Sequence, residues 1–328
     1  MPPIGIIANP ASGKDIRRLA AFGSVFDNNE KVRIVRRVLL GLDAMGARDV
    51  FIMPDTFGIG VRAMEDLDIG LKANILDGFM EGTQDDTTRA ADKLRDLGAA
   101  CIITLGGDGT NRAAAKGAGE VPLLPISTGT NNVFPCMTES TLAGIAAGIL
   151  AVHPEYQAFC VRLAPMLEIR RGGELMDLAL VDVVVSKPGF IGARALWEVS
   201  SLLEIFLARP EPGHIGFSSV GGHLGLAAGP NRGMHLVIGP GFKNVLAPIA
   251  PGLIRTVPVQ SCRVIAPGEE IPISHEPALA ALDGERELSI KAGDGLTVSL
   301  SLHGPKVVDI ASAIGRASTE GLFIEPLF

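Results

Sequence analysis

CIITLGGDGTNR, residues 101–112, runs from five residues suited to a buried strand straight into three glycines set around one carboxylate, Asp108. The apolar run predicts a strand over 99–105, and the alanines behind the glycines predict a short helix over 113–118. A second apolar run follows at 121–127. Strand, glycine turn, helix and strand in that order make a parallel βαβ unit, and in such units ligands gather at the carboxyl ends of the strands.

The alternation continues on both sides. Residues 4–8 predict a strand that ends in the turn NPASGK, 9–14. Residues 28–45 place Val32, Val35, Val38, Leu39, Leu42 and Met45 on one helical face, with Gly46 suited to the residue that ends the helix. Strands are predicted at 49–53 and 71–76. A helix starting near Asp86 turns Ala90, Ala91, Leu94 and Leu97 inward and stops at Gly98. After 121–127 comes a second polar turn, STGTNN (127–132), and then a helix over 139–152. Continuous apolar strands alternating with helices predict a parallel sheet covered on both faces.

From about Met166 the pattern changes. MLEIRRGGELMDLALVDVVVSK, 166–187, reads as two strands about a Gly172-Gly173 turn. A helical stretch is predicted over 191–207. Short strands at 234–239, 257–266, 286–291 and 296–302 then predict an antiparallel β-sandwich. The expected organisation is an α/β unit over 1–155, a β-sandwich over 156–304 and a segment, 305–328, that returns to the first unit.

Composition narrows the class. Of the 328 residues 47% are hydrophobic, enough for a sizeable core, and the net charge of −7 disfavours nucleic acid or anionic lipid as the main partner. The four cysteines, Cys101, Cys136, Cys160 and Cys262, form no CxxC pair and read as free thiols of a reducing compartment. The opening residues have neither a basic region nor a long apolar core, and no apolar run is long enough to span a membrane, so a cytoplasmic protein is expected.

Three turns carry chemistry: NPASGK, GGDGT (106–110) and TGTNN (128–132). Glycines let backbone N–H groups approach phosphate oxygens, and the positive end of a helix behind them favours anions. Each turn also has a plain reading as chain punctuation. Asp108 is different, because a carboxylate beside phosphates is unfavourable unless Mg²⁺ or a substrate hydroxyl offsets it; otherwise it is an Asx turn bonded to local backbone. Other chemistries fail on spacing. The leading glycine of a Walker A loop would fall at Ala8, and Asp15 follows Lys14 where Ser or Thr is needed. GFSSV (216–220) lacks the last glycine of a nucleophile elbow. The six histidines show no HxxxH pairing.

GGDGT followed by PISTGTNNV (125–133) resembles the superfamily that joins NAD kinases with diacylglycerol and sphingoid-lipid kinases. IANPASG (7–13) is similar to the NPxSG turn of its lipid-kinase branch, and ALDGE (281–285) to the DGE element near their end. DDTTRAA (85–91) and ESTLAGIAA (139–147) look closest to the acetoin-catabolism protein X family. The resemblance implies a Rossmann-like first domain, a β-sandwich second domain and an active site between them. It also implies ATP, Mg²⁺ and NAD as cofactors or substrates, and a homodimer or homotetramer.

Carried over by motif, the resemblance gives Asp108 the role of base toward a ribose hydroxyl. It sets Gly106, Gly107, Gly109 and Thr110 around the phosphates. Asn9, Ser12, Gly13 and Lys14 would position phosphates as well, and Thr128, Gly129, Thr130, Asn131 and Asn132 would hold the nucleotide. Asp182 takes the place of the acidic member of an Asn-Glu or Asn-Asp pair, with Val181 where asparagine is expected. Asp283 and Glu285 complete the set, Glu285 as the base in a lipid kinase. The implied activity is phosphorylation of NAD(H) or a related hydroxyl by ATP. The alternatives are a nucleotide-binding regulator of acetoin use without catalysis, and a lipid kinase.

Overall fold

Five consecutive residues of the first apolar run are buried as β1 (Ile4–Ala8), which leads to α1 (Asn28–Ala44), started by the Asp27 carboxylate accepting from the Glu30 N–H. In the computed structural model, residues 1–12, 22–24, 26–78, 80–188, 199–226, 229, 231–284 and 286–324 are described. There follow β2 (Asp49–Ile52), α2 (Ile59–Met64), β3 (Lys72–Ile75), α3 (Gln84–Asp96), β4 (Cys101–Gly106), α4 (Asp108–Ala118), β5 (Leu123–Ser127) and α5 (Ser140–Val152). The short α6 (Gln157–Cys160) and β6 (Val161–Leu163) close this half.

The second half is β7 (Met166–Arg171), β8 (Glu174–Ala179), β9 (Asp182–Ser186), β10 (Leu202–Leu207), α7 (Phe217–His223), β11 (Gly233–Ala250) and β12 (Leu253–Ile265). It continues through β13 (Glu270–Pro272), β14 (Ala278–Leu282), β15 (Arg286–Ile290), β16 (Leu296–Ser301), β17 (Lys306–Val308) and α8 (Ile310–Thr319).

The first sheet has the order β3-β2-β1-β4-β5-β17-β6, with β1 to β5 parallel and β17 adding in parallel beside β5. From β1 the chain winds outward through β2 to β3, then crosses to β4 on the other side. That reversal opens a crevice beyond the ends of β1 and β4. One face of the sheet packs on α1, α5 and α8 through Val35, Leu39, Ile149 and Ala313. The other packs on α3 and α4 through Ala91, Leu94 and Ala114. Two antiparallel sheets form the second half, β12-β11-β10-β9-β14-β15 and β13-β16-β7-β8. Leu167, Ile169, Val185, Phe206 and Leu300 fill the space between them, and α7 covers the outer face of the larger sheet.

Several elements depart from the sequence reading. The predicted helix over 191–207 is strand β10 at Leu202–Leu207, while 191–198 lie outside the described residues. Both faces of β10 are covered, with Phe206 in one core and Leu202, Ile205 and Leu207 in the other. A strand buried on both faces is as continuously apolar as a buried helix, so periodicity does not separate them. The Gly172-Gly173 hairpin is present, both glycines at positive φ, but its sequence holds a third strand, because β9 leaves for the larger sheet. Leu97 ends α3 and is 45% exposed instead of turned inward. Helix α4 begins at Asp108 itself, earlier than the alanine run suggested.

Candidate active site

The crevice between β1 and β4 is built from backbone first. The Asn9 N–H continues the ladder by donating to Leu105 O at 3.1 Å. The Asn9 side chain then accepts from the Ala11 N–H at 2.8 Å and donates through Nδ2 to Thr110 Oγ1 at 3.0 Å. The Ser12 hydroxyl donates to Asn9 O at 2.8 Å and lies 3.1 Å from Thr128 Oγ1. Asn9, Ser12, Thr110 and Thr128, expected in three separate turns, therefore form one connected group. Thr110 and Thr128 are buried and brace the turns from beneath. Gly13 and Lys14 lie outside the described residues.

Sequence reasoning missed the support for this group, Lys31. Its side chain is fully buried, and Nζ donates to Asn9 O at 2.8 Å, Ser12 O at 2.7 Å and Asn28 Oδ1 at 3.1 Å. The only sequence signal was a lysine at a core-facing position of α1.

The glycines at 106 and 107 are there for close approach. A Cβ on Gly106 would fall 2.4 Å from Thr110 Cβ, and one on Gly107 would fall 2.8 Å from Asn132 Oδ1. Asn132 in turn donates to Ser127 Oγ at 2.8 Å, which folds the Gly129–Asn132 turn onto the end of β5. Thr130 Oγ1 accepts from the Ser24 N–H at 3.0 Å. Gly109 lies in the first turn of α4, buried beside Asp108.

Asp108 is 8% exposed. Its Oδ1 accepts from the N–H groups of Val133 at 3.0 Å and Phe134 at 2.7 Å, and its Oδ2 lies 3.1 Å from the same Val133 nitrogen. The carboxylate thus holds the loop after β5 while lining a cavity of about 50 Å³ between the two halves of the molecule. Asn131 and Val133 face that cavity from the first half, and Val181, Asp182, Gly216 and Asp283 from the second. Three carboxylates predicted from distant stretches, Asp108, Asp182 and Asp283, meet at one place. Glu285 lies outside the described residues.

Asp283 has φ of +50° and a fully buried carboxylate that accepts from the N–H groups of Leu180, Val181 and Asp182, at 3.1, 2.8 and 3.3 Å. Burial pushes its carboxyl above the ordinary value, against the pull of Arg112 and those three donors. Arg112 stands one helical turn beyond Asp108 on α4. Its Nε is 3.9 Å from Asp283 Oδ2, and its two terminal nitrogens donate to Leu282 O and Gln84 Oε1. A turn further, Lys116 Nζ meets the buried Asp177 at 2.5 Å, and its charge, offsetting the effect of burial, holds that carboxyl below the usual range. Asp108, Arg112 and Lys116 share one face of α4 by their four-residue spacing, and that face docks on the β-sandwich. The spacing was readable in GGDGTNRAAAK but its partners were not.

A parallel α/β sheet joined to an antiparallel sandwich, with a glycine-aspartate turn at their junction, is an NAD kinase-like architecture. The family model described as ATP-NAD kinase N-terminal domain matches residues 4–156, and that of the acetoin catabolism protein X C-terminal domain matches 165–303. Acetoin catabolism protein X of Cupriavidus necator is 39% identical over 98% of this chain and 94% of its own length. The chain belongs to the acetoin catabolism protein X family. An NAD kinase of Citrifermentans bemidjiense is 26% identical over 64% of this chain and 73% of its own. Among solved structures, an NAD kinase from Archaeoglobus fulgidus in complex with ATP superposes with a TM-score of 0.41 at 11% identity, covering 98% of this chain and all of the other.

Proposed function

We propose that the protein binds ATP and a dinucleotide, NAD(H) in the first place, in the cleft between its halves and transfers the γ-phosphoryl group to a ribose hydroxyl. The observation that supports this most is the placement of Asp108 at the carboxyl end of β4, lining the same cavity as Asp182 and Asp283. In the proposed step Asp108 accepts the hydroxyl proton as the ribose oxygen bonds to phosphorus and the β–γ bridge breaks to release ADP. The Gly106–Gly109 turn and the N-terminus of α4 receive phosphate oxygens.

Among the described residues no group of three His, Cys, Asp or Glu side chains could hold a metal by itself. In this reading Mg²⁺ would arrive with the nucleotide, as Mg²⁺ commonly takes one or two carboxylates plus substrate phosphates. Asp108 and Asp182 are the carboxylates that would meet it, and its charge would offset that of the phosphates.

The test is incubation of pure protein with NAD, ATP and Mg²⁺ while following NADP. NADP that forms with wild type and vanishes with Asp108→Ala is the expected result; no NADP under any condition overturns the transfer step. A second reading is favoured by one specific feature. Asp108 already accepts two backbone N–H groups, and Val181, packed against Val133 and Phe134, stands where the resemblance expects an asparagine. In that reading the cleft binds a nucleotide without turnover and the protein regulates acetoin catabolism. Tight binding of NAD or ATP with no product distinguishes it.

A further inference from the structure

Arg209 directly follows β10 and Ala208, whose N–H donates to Val181 O at 2.9 Å, so it stands level with the Val181–Asp182 crossing. Its guanidinium lies 4.9 Å over the ring of Phe134, the residue whose N–H grips Asp108. The side chain thereby reaches from the sandwich to the loop on the other side of the cleft. Its Nε is fully buried and has no hydrogen-bond partner. Among the described residues nothing accepts a hydrogen bond from this guanidinium or pairs with it as an ion.

Other arginines with a buried Nε are satisfied at their ends: Arg112 by Leu282 O and Gln84 Oε1, Arg36 by Arg62 O and Glu65 O. Arg209 has only an aromatic face. The residue is half-buried, with its Nε cut off from water and unpaired, which is costly, and burial pulls its pKa down against the opposing charges of Glu211 and Asp108. The same loop carries a second unsatisfied buried nitrogen, His214 Nδ1, and continues into Ile215 and Gly216, which line the cavity beside Asp108. With one face against Phe134, the guanidinium keeps its N–H edge for an acceptor in its own plane, the geometry that suits a phosphate.

We infer that Arg209 is an anion-binding residue of the cleft and holds a phosphate group of the ligand from the sandwich side. This rests on the nucleotide reading and deepens it by assigning a phosphate subsite to a residue outside the glycine turns.

The experiment is calorimetric titration of wild type, Arg209→Met and Arg209→Lys with ADP, adenosine, inorganic pyrophosphate and citrate, with thermal melting of each protein alone. Loss of a charge-assisted contact predicts affinity for ADP and pyrophosphate about 10- to 100-fold lower in Arg209→Met. Adenosine affinity is expected to stay the same and the melting temperature to hold or rise. Arg209→Lys keeps the charge but not the fork, and an intermediate loss is expected. Unchanged affinity for ADP and pyrophosphate in both variants overturns the inference, and so does a wild type that binds neither. Binding that depends on Arg209 for citrate but not for pyrophosphate overturns the phosphate assignment. Arg209-dependent binding of pyrophosphate without any nucleotide leaves the subsite standing and sinks the nucleotide reading instead.

Discussion

Replacing Asp108 by asparagine and by alanine separates what this carboxylate does for the structure from what it does for chemistry. Oδ1 accepts from Val133 N–H and Phe134 N–H, at 3.0 and 2.7 Å, and Oδ2 shares the Val133 N–H at 3.1 Å. An asparagine with its oxygen in the Oδ1 place therefore keeps an acceptor for both N–H groups but sets its own NH₂ against the Val133 nitrogen. Each bond falls from the charge-assisted to the neutral class, a loss of about 1 kcal/mol apiece and about 2 kcal/mol in total. Alanine leaves two buried N–H groups without an acceptor, at about 1–3 kcal/mol each, or about 4 kcal/mol together. At about 2–3 °C per kcal/mol for a chain of this size, scanning calorimetry should find Asp108→Asn about 5 °C and Asp108→Ala about 10 °C below wild type. The amide cannot accept the hydroxyl proton, so NADP formation in Asp108→Asn should drop about 10²–10⁴-fold with nucleotide affinity retained. Two outcomes refute the reasoning. Equal destabilisation by the two substitutions would mean that the loop is not held by that oxygen, and wild-type turnover in Asp108→Asn would mean that the carboxylate is not the base.

Three further expectations follow from the packing. Arg112→Met removes the bonds to Leu282 O and Gln84 Oε1 and strips the nearby cation from the buried Asp283, so denaturant melting should find about 3–5 kcal/mol lost; a change under about 1 kcal/mol would contradict the interdomain role given to that arginine. Gly144→Ala puts a Cβ 2.3 Å from Val38 O, where α1 and α5 touch, and should cost about 1–3 kcal/mol in the same assay. Glu204→Gln concerns a buried carboxylate in β10. Burial raises its pKa, but the hydrogen bonds with His235, at 2.9 Å, and His275, at 2.7 Å, together with the Ser274 N–H outweigh burial and set it below the ordinary 4.5. An acid with a depressed folded pKa stabilises the fold above its ordinary pKa and loses that contribution as pH falls through the folded value. The stability gap between wild type and Glu204→Gln should therefore be wide at pH 7 and narrow below pH 4.5; a gap that does not change with pH removes the charge from the explanation.

The parallel sheet was legible because its strands and helices differ in period and are punctuated by glycines. Residues 4–8 and the helical face from Val32 to Leu42 appear in β1 and α1 as expected. β10 was not legible, since a strand covered on both faces loses the alternation that marks strands. At the site the turn residues announced themselves through glycine and asparagine, and Asp108 through its isolation among glycines. Lys31, Arg112 and Arg209 did not, because each is defined by partners, or by their lack, far away in sequence. Their acceptors are mostly backbone carbonyls, which carry no residue-specific mark.

The most direct test of the account is a crystal structure of the protein grown with ADP and NAD. It should place the phosphates against the Gly106–Gly109 turn, with a ribose hydroxyl within about 3 Å of the Asp108 carboxylate. A nucleotide bound away from this cleft, or one in the cleft with Asp108 still closed against Val133 and Phe134 and out of its reach, would contradict the account.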